Sequence, residues 1–161
     1  MEETMINQVN NNNQVNNENN ENNENNEYYI KKNVSHREYF MQHFVYKLNI
    51  VNVPEIIDYN DDTRTMTMVR VGKNNLSHNY GENATDISDD IFDEVAVIVR
   101  KLVLHGIEFP DLTGYNFVED DTGKIWIIDF EHAKFTPTQN ITNIHIRTIC
   151  NGTKRWNPDF K

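Results

Sequence analysis

Three oxygen-bearing side chains stand at telling intervals in the stretch Leu104–Ala133, LHGIEFPDLTGYNFVEDDTGKIWIIDFEHA: Asp111, Asn116 and Asp129. Asn116–Glu119 reads as a short strand, Asp120-Asp121-Thr122-Gly123 as turn chemistry, and Lys124–Asp129 as a second strand rich in β-branched and aromatic residues. A hairpin of this kind carries Asn116 toward Asp129, with Asp111 on the loop just upstream. Two bare carboxylates ~4 Å apart repel by roughly 4 kcal/mol at an effective dielectric of about 20. A hard cation removes that cost, and an oxygen-only donor set suits Mg²⁺ delivered on phosphate groups. The bland alternative is a plain hairpin with acidic surface turns.

The same segment resembles the catalytic and metal-binding loops of protein-kinase-like phosphotransferases, including small divergent kinases and lipopolysaccharide kinases. DLTGYN sets Asn116 five positions after Asp111, and IIDFE supplies Asp129-Phe130-Glu131 one hairpin later. The resemblance spans about residues 28–135. It implies ATP and Mg²⁺ as cofactors, Asp111 as the catalytic base, and Asn116 and Asp129 as metal ligands. It also implies Lys31, at the end of the strand Tyr28–Lys31, as the phosphate-pairing lysine, with Lys32 its competitor, and Arg70, Val71 and Gly72 as the hinge that meets adenine. Four departures stand beside it. Phe109 replaces the histidine expected two residues before the catalytic Asp, and Glu131 replaces the glycine after Asp-Phe. All six glycines lie at position 72 or later, so no glycine-rich loop precedes the first strand. No long activation segment or Ala-Pro-Glu motif follows Asp129. The intact Asp111/Asn116/Asp129 set favours an enzyme acting on a protein or small-molecule hydroxyl; the absent glycine loop favours a pseudokinase-type binding module.

These side chains need elements to hold them. Ser35–Asn49 reads as a helix opened by a capping box, Ser35 with Glu38, and the box assigns Glu38 to its own helix end. Phe40, Phe44 and Leu48 mark one face of it, with Met41 and Val45 alongside. Glu55–Tyr59 and Arg64–Val71 read as a hairpin. A helix capped by Asp86 or Ser88 runs to Gly106 behind the stripe Ile87, Ile91, Val95, Ile98 and Leu102. Val97, Val99, Val103 and Leu104 widen that stripe toward full burial. Gln139–Cys150 is a final helix, and Trp156 and Phe160 tuck against the core.

At 161 residues the chain allows one domain. Thirteen of the twenty residues from Asn7 to Asn26 are Asn, so 1–26 is expected as a disordered Asn/Glu-rich tail ahead of one domain at 27–161. An Asn-rich tail is what an AT-rich genome writes, such as that of a large DNA virus or a protist. A net charge of −10 argues against unaided binding to nucleic acid or membrane. The lone Cys150 forms no internal disulfide, and a reducing cytoplasmic compartment (host cytoplasm or virion for a virus) is the expectation. The fold class expected is α+β: a minimal protein-kinase-like fold with a reduced antiparallel N-lobe sheet and a short helical C-lobe.

Overall fold

The computed structural model describes residues 27–160, so the Asn-rich stretch 1–26, expected as a tail, lies outside the described residues. The N-terminal part is a three-stranded antiparallel sheet of β1 (Tyr28–Lys31), β2 (Ile56–Asn60) and β3 (Thr65–Val69), in the order β1-β3-β2. Alternation along β3 sends Met66 and Met68 inward, where they pack with Val34, Tyr39, Ile56 and Tyr59. Lys31 stands opposite Met66 in the register.

Helix α1 (His36–Leu48) departs from expectation twice. Ser35 is its N-cap, accepting from the Glu38 amide, but the Glu38 side chain does not fold back to complete the box. The helix is also rotated. It buries Glu38, Met41, Gln42 and Val45, and leaves Phe40 and Leu48 exposed. Polar contacts at the inner face outweigh the aromatic stripe. Gln42 donates to Pro54 O at 3.3 Å, and Glu38 pairs with Lys31.

The C-terminal part holds α2 (Leu76–Tyr80), α3 (Asp89–Leu104), β4 (Ile107–Glu108), β5 (Phe117–Glu119), β6 (Ile125–Ile127), β7 (Lys134–Phe135) and α4 (Ile144–Cys150). Ser88 caps α3, whose buried side is Phe92, Val95, Ala96, Ile98, Val99 and Leu102. The expected all-round burial of its second half is not met, because Leu104 is 72% exposed and Val97 is exposed as well. Gly106, at φ +69°, turns the chain out of α3 into β4, which pairs with β7. The last helix is shorter than its expected span. A 3-10 turn at Thr138–Asn140 comes first, and Asn143 restarts the chain as α4 by accepting from the amides of His145 and Ile146.

The two parts are joined by Asn52. Its side chain donates to Ile125 O at 2.8 Å and its carbonyl accepts from the Ile127 amide at 3.0 Å. One hydrophobic core runs from Met41, Val45 and Val53 through Phe92, Leu102 and Phe117 to Ile146.

Candidate active site

The hairpin β5–β6 forms as the sequence implies, with Phe117 opposite Ile127. Its turn is locked by Asp120. One carboxylate oxygen accepts from the Thr122 and Lys124 amides and the Thr122 hydroxyl, and the other from Trp126 Nε1. Those donors hold the Asp120 carboxyl far below the usual carboxylate range. Asp120 is thus a structural acid, and the hairpin is the rigid arm that carries Asp129.

Asp129 sits just past β6 in the left-handed region, at φ +61°. This conformation costs other side chains more than Asp or Asn. It sends Phe130 into the core, where it meets the buried Phe109 edge-on at 5.4 Å, and leaves the Asp129 carboxylate half-buried in the cleft. Phe109, at the position where the family pattern has histidine, therefore still braces the segment, by aromatic packing instead of a hydrogen bond. Glu131 is exposed and its amide donates to Asp129 Oδ1 at 3.3 Å.

Lys31 Nζ lies 2.6 Å from Glu38 Oε1 and 2.9 Å from Asp129 Oδ2. Lys32 is exposed, and of the two lysines Lys31 is the one that lines the cleft. Burial pulls the Lys31 ammonium down, but its two carboxylate partners outweigh it and hold the group above its ordinary value. Burial pushes Glu38 up more than Lys31 brings it down. At 2.6 Å the contact is an ion pair whose acid is the strained member.

Asp111 stands on the neighbouring loop and lines a separate cavity with Asn116. The 3-10 turn Gly114–Asn116 closes the loop, and the buried Asn116 donates from Nδ2 to Asp111 O at 3.0 Å. The Asn116 carbonyl accepts from the Ile128 amide at 3.0 Å, tying loop to hairpin one residue before Asp129. Burial raises the Asp111 carboxyl above its ordinary value; hydrogen bonding from Asn116 opposes this and the Asp129 charge adds to it. The Asp111–Asn116 loop is thus tied to the hairpin beside Asp129, close enough for the Asp129 charge to act on Asp111. Among the described residues no group of three His, Cys, Asp or Glu could hold a metal by itself. A donor set of one amide and one carboxylate suits a cation that arrives with phosphate oxygens of its own.

Between the two parts lies a cleft of about 230 Å³, lined by Lys31, Gln42, Met68, Arg70–Gly72 and Asp129 among others. The Arg70 amide is already donated to Glu27 O at 2.9 Å, so within the expected hinge the amides left to face a base are those of Val71 and Gly72. Gly72 must be glycine: a Cβ there would lie 2.5 Å from Val118 Cγ1 and 2.8 Å from Glu119 O.

Three contributors escape a reading of the sequence. Gln42 walls the cleft, yet its signal, a polar residue one turn after Glu38, is masked by the aromatic stripe. Asn52 joins the lobes from an unremarkable loop. Asn157 is buried, donates from Nδ2 to Pro110 O at 2.7 Å and from its amide to Leu112 O at 2.9 Å, and so clamps both neighbours of Asp111. No local pattern announces a contact between residues 47 apart in the chain.

The small antiparallel sheet, the helix packed behind it and the loop-hairpin unit below define a protein-kinase-like fold. A model of the RIO domain, an atypical protein-kinase family, matches residues 2–148, and the chain belongs to that family. Among solved structures, the Rad53 kinase domain with SCD2 superposes with a TM-score of 0.54 at 18% identity, over 76% of this chain and 54% of that one. The kinase PK-1 of Cydia pomonella granulovirus gives 0.49 at 14% identity, over 67% and 42%. Rv3197 of Mycobacterium tuberculosis, in complex with erythromycin, gives 0.48 at 16% identity, over 65% and 28%. The chain spans about half or less of the length of these structures. No curated protein matches it in sequence.

Proposed function

We propose that this chain is a phosphotransferase that binds ATP with Mg²⁺ and passes the γ-phosphoryl group to a hydroxyl acceptor. The observation that carries the reading is Lys31 held between Glu38 and Asp129 at the mouth of the cleft, beside the Asp111–Asn116 loop. In phosphoryl transfer the protein's work is mostly positioning and charge neutralisation. Val71 and Gly72 offer amides to the base edge. The Lys31 ammonium turns from the carboxylates to phosphate oxygens. Asn116 spends its Nδ2 on Asp111 O, which leaves its amide oxygen, with the Asp129 carboxylate, to hold the cation. Mg²⁺ held there supplies charge neutralisation on the β- and γ-phosphates. Asp111 orients the acceptor hydroxyl and takes its proton, and its raised basicity suits that role. The reading places the protein in a reducing cytoplasm, with the domain at 27–161.

Thermal shift with ATP, with and without Mg²⁺, on wild type and Asp129→Ala is the first test. Metal-dependent stabilisation that disappears in the variant is expected; no shift in either protein sinks nucleotide binding. Transfer of radiolabelled γ-phosphate, lost in Asp111→Ala, is the second. One feature favours the pseudokinase-type alternative: no glycine stands before residue 72 in this sequence, and among the described residues no glycine-rich turn joins the strands of the N-terminal sheet. That alternative predicts stabilisation by nucleotide with no transfer to any acceptor.

A further inference from the structure

The segment after α4 folds back onto the catalytic loop, and two cavities open along it. One, about 520 Å³, is bounded by Asp111, Asn116, His132 and Phe160. The other, about 530 Å³, reaches Glu82, Asn83 and Trp156. They share Thr113, Tyr115 and Phe160, so they form one groove that leads to the Asp111 carboxylate. We propose that this groove, joining Asp111 to Trp156 across Tyr115 and Phe160, takes a small polyhydroxylated acceptor of monosaccharide type, not a segment of another protein. The inference rests on the phosphotransferase reading and names its acceptor.

The wall is built, not draped. Asn157 holds it to Pro110 O and Leu112 O, and its own Oδ1 accepts from the Asp159 amide. Trp156 stacks on Phe117 at 6.1 Å, and Phe160 packs on His132 at 5.0 Å. An extended peptide docks through main-chain bonds to a strand edge, and none of the residues lining this groove lies in a strand. What the groove offers is aromatic surface alternating with amides, hydroxyls and the Glu82 carboxylate, which accepts from the Tyr115 hydroxyl at 3.2 Å. That mixture suits a ring with C–H faces and a rim of hydroxyls. Lys154 is occupied by Ile87 O and by Asp89 at 2.8 Å, so it does not select an anion; Arg155 stands exposed at the rim. Trp156 Nε1 is buried with no acceptor among the described residues. A small rotation of the indole on ligand entry would give it an oxygen. In the transfer step an acceptor hydroxyl oxygen bonds to the γ-phosphorus, the bond from that phosphorus to the β,γ-bridging oxygen breaks with its electron pair leaving on ADP, and the hydroxyl proton passes to Asp111.

The full chain carrying Trp126→Phe leaves Trp156 as sole indole reporter. It is titrated with glucose, ribose, N-acetylglucosamine and myo-inositol, with ATP·Mg²⁺ binding measured separately by thermal shift. A saturable change in Trp156 emission with at least one of them is expected, together with label on that compound after incubation with radiolabelled ATP. Tyr115→Ala is expected to weaken its binding tenfold or more, about 1.4 kcal/mol, while Tyr115→Phe, which keeps the ring, retains it. No saturable change with any of the four overturns the proposal, and so does label on casein with all four inert. Loss of ATP·Mg²⁺ stabilisation, in contrast, removes the phosphotransferase reading alone, because the emission titration needs no nucleotide.

Discussion

Lys31 is the residue on which the cleft turns. Its ammonium is shared by two carboxylates 2.6 and 2.9 Å away, and Glu38 is buried. Removing one partner of a buried ion pair costs about 3–5 kcal/mol when the other charge is left alone. Lys31→Met should fall at the low end of that range, because Asp129 keeps access to water while Glu38 can take up a proton. Denaturant unfolding measures this, and ATP stabilisation should vanish in the same variant. Asp111 gives a pH prediction with a defined sign. Its folded-state carboxyl titrates above the unfolded value of about 3.9. The folded chain therefore binds that proton more tightly, and a stability cost develops as pH rises from the unfolded value through the raised one. Asp111→Asn is expected to melt higher than wild type near pH 7, with the gap closing below about pH 4. A gap that widens in acid would mean that hydrogen bonds to the charged form dominate.

Elements place these residues by contacts that oppose local preference. Helix α1 shows its apolar residues Phe40 and Leu48 to solvent so that Glu38 and Gln42 face inward. The periodicity reads a genuine apolar stripe, but the stripe is not the buried one, because a paired charge and a bonded amide inside exclude their being turned out. The segment Arg70–Gly72 along the cleft is an element whose tolerance is set by two neighbouring atoms. Gly72→Ala drives a methyl into Val118 and the Glu119 carbonyl, and overpacking of this kind costs about 1–3 kcal/mol. A lower melting temperature and weaker ATP stabilisation are expected together. The returning segment is the third case. Asn157→Ala removes one of two donors to Pro110 O, the Leu112 amide remaining at 2.9 Å, at a cost of about 1 kcal/mol for the hydrogen bond lost. As a positioning residue, Asn157 should affect turnover more than the Michaelis constant for ATP; equal effects on both would assign it a merely structural role.

At the scale of the molecule, the larger of two buried clusters joins Met41, Val45 and Val53 to the C-terminal part, and a smaller one of Val34, Met66 and Met68 lies under the sheet. Unfolding should accordingly be a single cooperative transition. Among the described residues no helix is long and apolar enough to cross a membrane. A chain starting at Glu27 is expected to melt within about 2 °C of the full one, equivalent to less than about 0.5 kcal/mol for a domain of this size. A larger drop would show that residues before Glu27 contribute to the domain.

Chemistry that depends on spacing was written in the chain itself. The placement of Asp111, Asn116 and Asp129 on one short loop and one hairpin could be read, because turn residues and strand alternation dictate geometry over a few bonds. The expected hairpins, the long helix after Ile87 and the kinase-like class were legible for the same reason, while the choice of Ser88 over Asp86 as its cap was not. Which lysine enters the cleft, which way α1 faces, that Phe109 braces Phe130 and that Asn157 grips the catalytic loop were decided only by the assembled structure. Each depends on burial and pairing between residues distant in sequence, and the free energy of such contacts does not exist until the chain has closed around them.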